Sequence, residues 1–111
     1  MTAETLWSSE DGTLEVRHDA ENRFYEVLDG GRSAGLLVYE LQGTHMTLTH
    51  TFIEDEFKGR GLAVILIREA LKDIREQSVE VTNRCPVVDR FVAARPEFAS
   101  VIEPPASPGG R

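Results

Sequence analysis

Glu56-Phe57-Lys58-Gly59-Arg60-Gly61-Leu62-Ala63 is the stretch that decides the fold, because an extended run, Met46 to Ile53, ends just before it and a strongly helical run begins inside it. Glycines at 59 and 61 let the backbone bend tightly and pass close to a ligand. A strand-to-helix bend of this kind gathers several N–H groups at the positive end of the helix dipole. Lys58 and Arg60 add charge of the same sign. The junction reads as a phosphate cradle made of Lys58, Gly59, Arg60, Gly61, Leu62 and Ala63, with a pyrophosphate-bearing cofactor as its natural occupant and a purely structural turn as the alternative. No lysine-hydroxyl pair follows the glycines, as a nucleotide-hydrolysing P-loop requires. The third small position of G-x-G-x-x-G is missing too, and no acid closes the next strand, which excludes a Rossmann site.

Upstream, Thr13 to His18 alternates, with Leu14 and Val16 on one side, and Phe24 to Leu28 follows a turn-rich Asp19-Ala20-Glu21-Asn22. That pattern predicts a hairpin. Asp29-Gly30-Gly31-Arg32 turns the chain into a more continuously apolar strand, Ala34 to Leu41, and Gln42-Gly43-Thr44 turns it into Met46 to Ile53. Four antiparallel strands in a meander result. Downstream, Leu62, Leu66, Ala70 and Ile74, with Ile67 and Leu71, form an apolar stripe opposite Arg68, Glu69, Lys72, Asp73 and Arg75. This is an amphipathic helix ending near Gln77. Ser78 to Thr82 is a short β-type run, so strand, glycine bend, helix and strand make a βαβ crossover with parallel strands. Pro86 opens a second helix, through about Ala94, and Arg95-Pro96 stops or kinks it. The fold class is α/β (α+β), a single domain over 1–102, with residues 103–111 a disordered tail by composition.

The 111 residues, 41% hydrophobic and 28% charged, are enough for one domain with its own core. No apolar run approaches the ~20 residues needed to span a bilayer. The N-terminus also lacks a basic patch and an apolar segment, and a lone Cys85 suits a reducing compartment, so a cytoplasmic protein is expected. A net charge of −7 argues against nucleic acid and anionic membrane as partners. The charge is uneven: residues 1–56 carry −9 and residues 57–111 carry +2. An anion-binding second half beside an acidic first half suits a cationic acceptor such as an amine, and a solvated acidic surface is the plainer reading. His18, His45 and His50 show no ligand spacing, and no metal is expected. Trp7 is expected to be an isolated anchor or exposed.

The order of elements and the bend resemble the GNAT superfamily of N-acetyltransferases, whose acetyl-CoA loop has the form Q/R-x-x-G-x-G/A between a strand and a long helix. Gly59 and Gly61 take the two small positions, and Glu56 departs from the opening Gln/Arg. The resemblance narrows to the small stand-alone YjdJ-like domains through His50-Thr51-Phe52-Ile53, Cys85-Pro86-Val87-Val88 and Arg95-Pro96-Glu97-Phe98. It implies a minimal fold without the usual N-terminal helix pair and final hairpin. Acetyl-CoA would lie with its pantetheine along the strand ending at Ile53 and its pyrophosphate on Lys58 to Ala63, the sheet splaying between the two parallel strands. The acceptor implied is a primary amine of a small molecule or peptide, acted on by a monomer or weak homodimer. A non-catalytic acyl-CoA-binding or sensing module is the alternative, and a cofactor-free structural domain the third reading.

Three side chains carry open assignments. Cys85, at the expected start of the second helix and beside Arg84, is a nucleophile, an acid for the departing CoA thiolate, or a small packing residue. His50 is a general base, or a stapling histidine in phase with Met46, Leu48 and Phe52. Asn83 either bonds a pantetheine amide or caps the next helix. Glu54, Asp55 and Glu56 stand at the mouth of the cleft, drawing in an amine or merely solvated. Phe91 falls where many GNAT enzymes place a proton-donating tyrosine, and the only tyrosines are Tyr25 and Tyr39.

Overall fold

The computed structural model describes residues 3–102. Six strands form one sheet in sequence order: β1 (Glu4–Ser8), β2 (Leu14–Asp19), β3 (Phe24–Asp29), β4 (Arg32–Gln42), β5 (His45–Ile53) and β6 (Glu80–Asn83). The first five run antiparallel, and β5 and β6 are parallel. The crossover between them is α1 (Leu62–Arg75), preceded by a single 3-10 turn (Asp55–Phe57). Then α2 (Pro86–Ala94) and a 3-10 stretch (Pro96–Val101) follow β6. The expected meander and βαβ unit are both present. The tail expected over 103–111 lies outside the described residues.

The sheet has one more strand than expected. β1 escapes an alternation test because a bulge between Thr5 and Trp7 breaks its period, leaving Thr5 opposite Arg17 but Trp7 opposite Val16. Trp7 is therefore no isolated anchor: it packs against the core from an edge strand, with the Arg68 guanidinium 5.4 Å above its ring.

The helices cover one face. Leu62, Leu66, Ile67, Ala70, Leu71 and Ile74 of α1 are buried with Val16, Val27, Leu37, Met46, Leu48 and Val81 of the sheet. Each of these side chains larger than alanine contributes about 1.5–3 kcal/mol when fully buried. Val88, Phe91 and Phe98 extend the same cluster, the two rings 5.3 Å apart. No helix among the described residues is long and apolar enough to cross a membrane.

A second bulge changes what β5 presents. Val38 pairs with His50 but Tyr39 pairs with Leu48, so Thr49 is the extra residue, and its hydroxyl donates to the Val38 carbonyl at 3.0 Å. Past it the phase inverts. Thr51, opposite buried Leu37, joins the helix-covered face, while His50 and Phe52 emerge exposed on the other. The stapling histidine expected from uninterrupted alternation is thus a solvent-facing one.

Gly35 lets β4 come close to this segment. A Cβ there would stand 2.5 Å from both the Phe52 carbonyl oxygen and Ile53 Cδ1. The carbonyl cannot swing aside without moving the strand. Gly35→Ala should destabilise the fold by about 1–3 kcal/mol in urea unfolding; an unchanged midpoint would mean the strands lie farther apart.

A polar knot ties α1 to the sheet at the other end. His18 stacks on Tyr25 at 4.2 Å between centroids, and its Nε2 lies 2.7 Å from the Tyr39 hydroxyl. Asp73 accepts from the Tyr25 hydroxyl and from Gln77, both at 2.8 Å. Its carboxylate also lies 3.5 Å from His18 Nδ1. Burial holds the His18 pKa below its ordinary 6.5, outweighing the opposing pull of Asp73, then Glu4 and Asp19. The folded state therefore takes up this proton less readily than the unfolded one. Its contribution is present above about pH 6.5 and is lost as the pH falls below that value towards the folded pKa. His18→Gln should flatten the loss of stability between pH 7 and pH 5 relative to the parent; parallel curves would contradict the assignment.

Candidate functional site

β5 and β6 share a ladder over four pairs only, from His45–Glu80 to Leu48–Asn83, closed by the Arg84 N–H donating to the Leu48 carbonyl at 2.8 Å. Then the chain of β6 leaves. The Asn83 side-chain oxygen accepts the Cys85 N–H at 3.0 Å, its amide nitrogen donates to Asp89 at 2.7 Å and the Cys85 carbonyl at 3.1 Å, and Pro86, lacking an N–H, begins α2. Asn83 thus spends its side chain on the turn into α2, whose N-cap is Cys85 and which no side chain caps.

Among the described residues, β5 continues to Ile53 with no strand on its β6 side. In an antiparallel ladder, hydrogen-bonded and non-hydrogen-bonded pairs alternate. The Glu54 N–H donates to the Ala34 carbonyl at 2.8 Å. Ile53 and Thr51, opposite Gly35 and Leu37, therefore turn their N–H and C=O groups away from β4 and into the gap. A cleft of about 450 Å³ opens there, walled by Thr51 to Ile53, the bend, and Val64 of α1 with Val87 and Arg90 of α2. At its closed end, Cys85 is 1% exposed and donates its S–H to Thr51 Oγ1 at 3.2 Å. Cys85 thus stands behind the wall, one hydrogen bond from it.

The bend takes a left-handed backbone at both glycines. Gly59 and Gly61 have φ of +82° and +74°, a region that costs other residues about 1–2 kcal/mol. Gly61 is the N-cap of α1 and no side chain caps that end, which leaves the first-turn N–H groups as donors at the cleft.

The charges are arranged differently from the simplest reading of the sequence. Arg60 pairs with Asp29 at 2.7 Å and faces a separate recess beside Ser9 and Asp11, outside the cleft. Lys58 does line the cleft while paired with Asp55 at 3.0 Å. Glu56, the departure from the acetyl-CoA loop pattern, pairs with Arg32. Arg32 and Arg60 lie 5.3 and 5.4 Å from the buried Phe57 ring, one from the β3–β4 hairpin and one from the bend. These contacts fasten the bend to that hairpin. Each exposed pair adds at most about 1 kcal/mol, and their shared anchor is Phe57.

Of the expected cofactor residues, Ile53, Lys58, Gly59, Gly61, Leu62 and Ala63 meet at the cleft, and Arg60 and Asn83 do not. His50 lies across the sheet from the helices. Arg90 was missed: its position three residues after Val87 puts it on the same side of α2, but that signal acquires meaning only once α2 is known to wall the cleft. No cluster of metal-ligating side chains occurs among the described residues.

Comparison with known proteins places the chain in a family. A family model described as GCN5-related N-acetyl-transferase matches residues 23–101, from the start of β3 to the last 3-10 stretch. The chain is similar to Protein NATD1 of Mus musculus, 31% identical over 87 residues covering 77% of this chain and 79% of the relative. It is similar also to Protein NATD1 of Bos taurus, 32% identical over 85 residues and 75% of each chain. The Homo sapiens protein of that name is 31% identical over 85 residues, again 75% of each.

Gly61→Ala should cost about 1–2 kcal/mol in chemical unfolding, because the substituted residue would still have to adopt the left-handed conformation. A Cβ at this position meets nothing within 4 Å, so crowding would not explain the loss. A neutral substitution would mean that the bend does not hold this shape.

Proposed function

Because the chain belongs to the GCN5-related N-acetyltransferases, we propose that it binds acetyl-CoA in the cleft beside β5 and transfers the acetyl group to a primary amine of a small molecule or peptide. The observation that carries this reading is the early end of the β5–β6 ladder. An extended amide-bearing chain laid there would complete the hydrogen bonds that Thr51 and Ile53 lack, as an added strand does. Its diphosphate would then meet the first N–H groups of α1 and Lys58. Acetyl-CoA supplies the activated thioester; the chain's own residues position it, polarise it and move protons.

A backbone N–H facing the gap can donate to the thioester carbonyl as negative charge develops on its oxygen. The departing thiolate needs a proton. Neither tyrosine lines the cleft, since Tyr25 and Tyr39 are held in the knot around His18. The pair at the closed end fits better: Thr51 Oγ would give its proton to the thiolate and take one from the Cys85 thiol, and a proton from solvent in the cleft, matching the one the amine releases, would return to Cys85 through the same Thr51 hydroxyl. A nucleophilic Cys85 would need access that its burial denies. His50, exposed beside Thr51 in sequence but on the helix-free face, suits removal of a proton from an amine arriving on that side. Of the acids at the mouth, Asp55 and Glu56 are already paired, which leaves Glu54 to attract a cation. A reducing, cytoplasmic setting keeps the thiol in the form this role requires.

Calorimetry with CoA, followed by a thiol-release assay across polyamines, amino sugars and lysine peptides, tests the reading. Binding with turnover of at least one amine class is expected. Cys85→Ala and Thr51→Val should each lower kcat about 10- to 100-fold while leaving KM for acetyl-CoA within about twofold. Undiminished kcat in both would return Cys85 to a packing role. Tight CoA binding without turnover of any amine would favour the second reading, a sensing module, which the absence of a tyrosine from the cleft supports.

A further inference from the structure

The cleft does not end at the bend. A groove of about 220 Å³ runs on between α1 and α2, floored by Ile67 and Phe91 and sharing Ala63, Val64, Val87 and Arg90 with the cleft, so the two form one trough. Arg90 stands at the junction. Arg95 lies at the far end, its guanidinium 4.7 Å above the Phe91 ring.

These two arginines differ from half of the chain's twelve lysines and arginines. Arg17, Arg32, Lys58, Arg60, Arg68 and Lys72 each pair with a carboxylate. Among the described residues, no carboxylate lies within ion-pair distance of Arg90 or Arg95. In a chain of net charge −7, two guanidinium groups lining one trough without acidic partners form a local site for an anion. The apolar floor adds a preference for a flat heterocycle, and a guanidinium is the side chain suited to bidentate bonds with phosphate.

Resting on the acetyl-CoA reading above, we infer that the groove holds the adenosine end of the cofactor and that Arg90, with Arg95, recognises its 3′-phosphate. The diphosphate at the bend and the 3′-phosphate are joined through one ribose, so a ligand anchored at the first brings the second to the junction where Arg90 stands. The adenine lies in the groove beside the Arg95 guanidinium that covers Phe91. The chain consequently selects coenzyme A over its form lacking the 3′-phosphate, and it does so through α2 rather than through the bend.

The test compares the dissociation constants of CoA and 3′-dephospho-CoA by calorimetry for the parent chain and for Arg90→Gln, Arg95→Gln and the double variant. The parent should prefer CoA by at least about tenfold, a preference that shrinks as salt is raised. In the double variant the ratio should collapse towards one. A parent that binds both ligands equally well overturns the inference while leaving the acetyl-CoA reading intact, as does a double variant that keeps the full ratio. If neither ligand binds the parent, the acetyl-CoA reading itself fails and this inference falls with it. Because the readout is a ratio of two ligands on the same folded sample, a general loss of stability cannot imitate the expected result.

Discussion

Parallel strands that bond over four residue pairs and then separate leave the end of β5 with backbone groups that no part of the described chain satisfies. The separation has a local cause. Asn83 commits both ends of its amide to the turn that follows, and Pro86 offers no N–H, so the segment after β6 is already a helix start where a continuing strand would have run. Polar backbone groups beside an apolar cleft are costly to leave unpaired, and a ligand carrying amides removes that cost. The position of the cleft, the direction of an extended ligand in it and the distance to the bend all follow from where the ladder stops.

What surrounds the opening keeps it in shape. The Thr49 bulge turns Thr51 inward to meet the Cys85 thiol and turns His50 and Phe52 outward, so one inserted residue distributes the candidate proton-handling groups between two faces of the sheet. On the far side of the bend, the Phe57 ring meets two guanidinium groups, one paired with a carboxylate of the bend and one with a carboxylate of the hairpin, tying the cradle to the β3–β4 hairpin. The knot around His18 fixes the other end of α1. The helix whose first turn faces the cleft is thus held at both ends by contacts outside it.

Local signals in the sequence carried most of the architecture. The 3.6-residue stripe of α1, the alternation of β2, the apolar run of β4, the two glycines and the Pro86 start each depend on residues near one another, and each was legible. β1 and the outward turn of His50 were not, because each depends on a single-residue bulge, and a bulge breaks the period that alternation relies on. Side-chain partners were hidden for a different reason. Arg60 lies 31 residues from Asp29, and Tyr25 lies 48 from Asp73, so whether a cation near a glycine bend faces a ligand or an internal carboxylate is decided by tertiary placement. Arg90 belongs to the same class, significant only once α2 is seen to wall the cleft. Asn83 carried two readings in the sequence, and its side chain is engaged in the turn before α2 without capping that helix.

Amide hydrogen exchange at Thr51 and Ile53, followed by NMR with and without saturating CoA, tests the use of the open ladder most directly. Both amides should exchange readily in the free protein and slow by at least about tenfold in the complex, as amides do when a hydrogen-bond partner is supplied. If CoA binds and these two amides exchange as before, the cofactor does not occupy the gap beside β5, and the reading of the cleft is wrong.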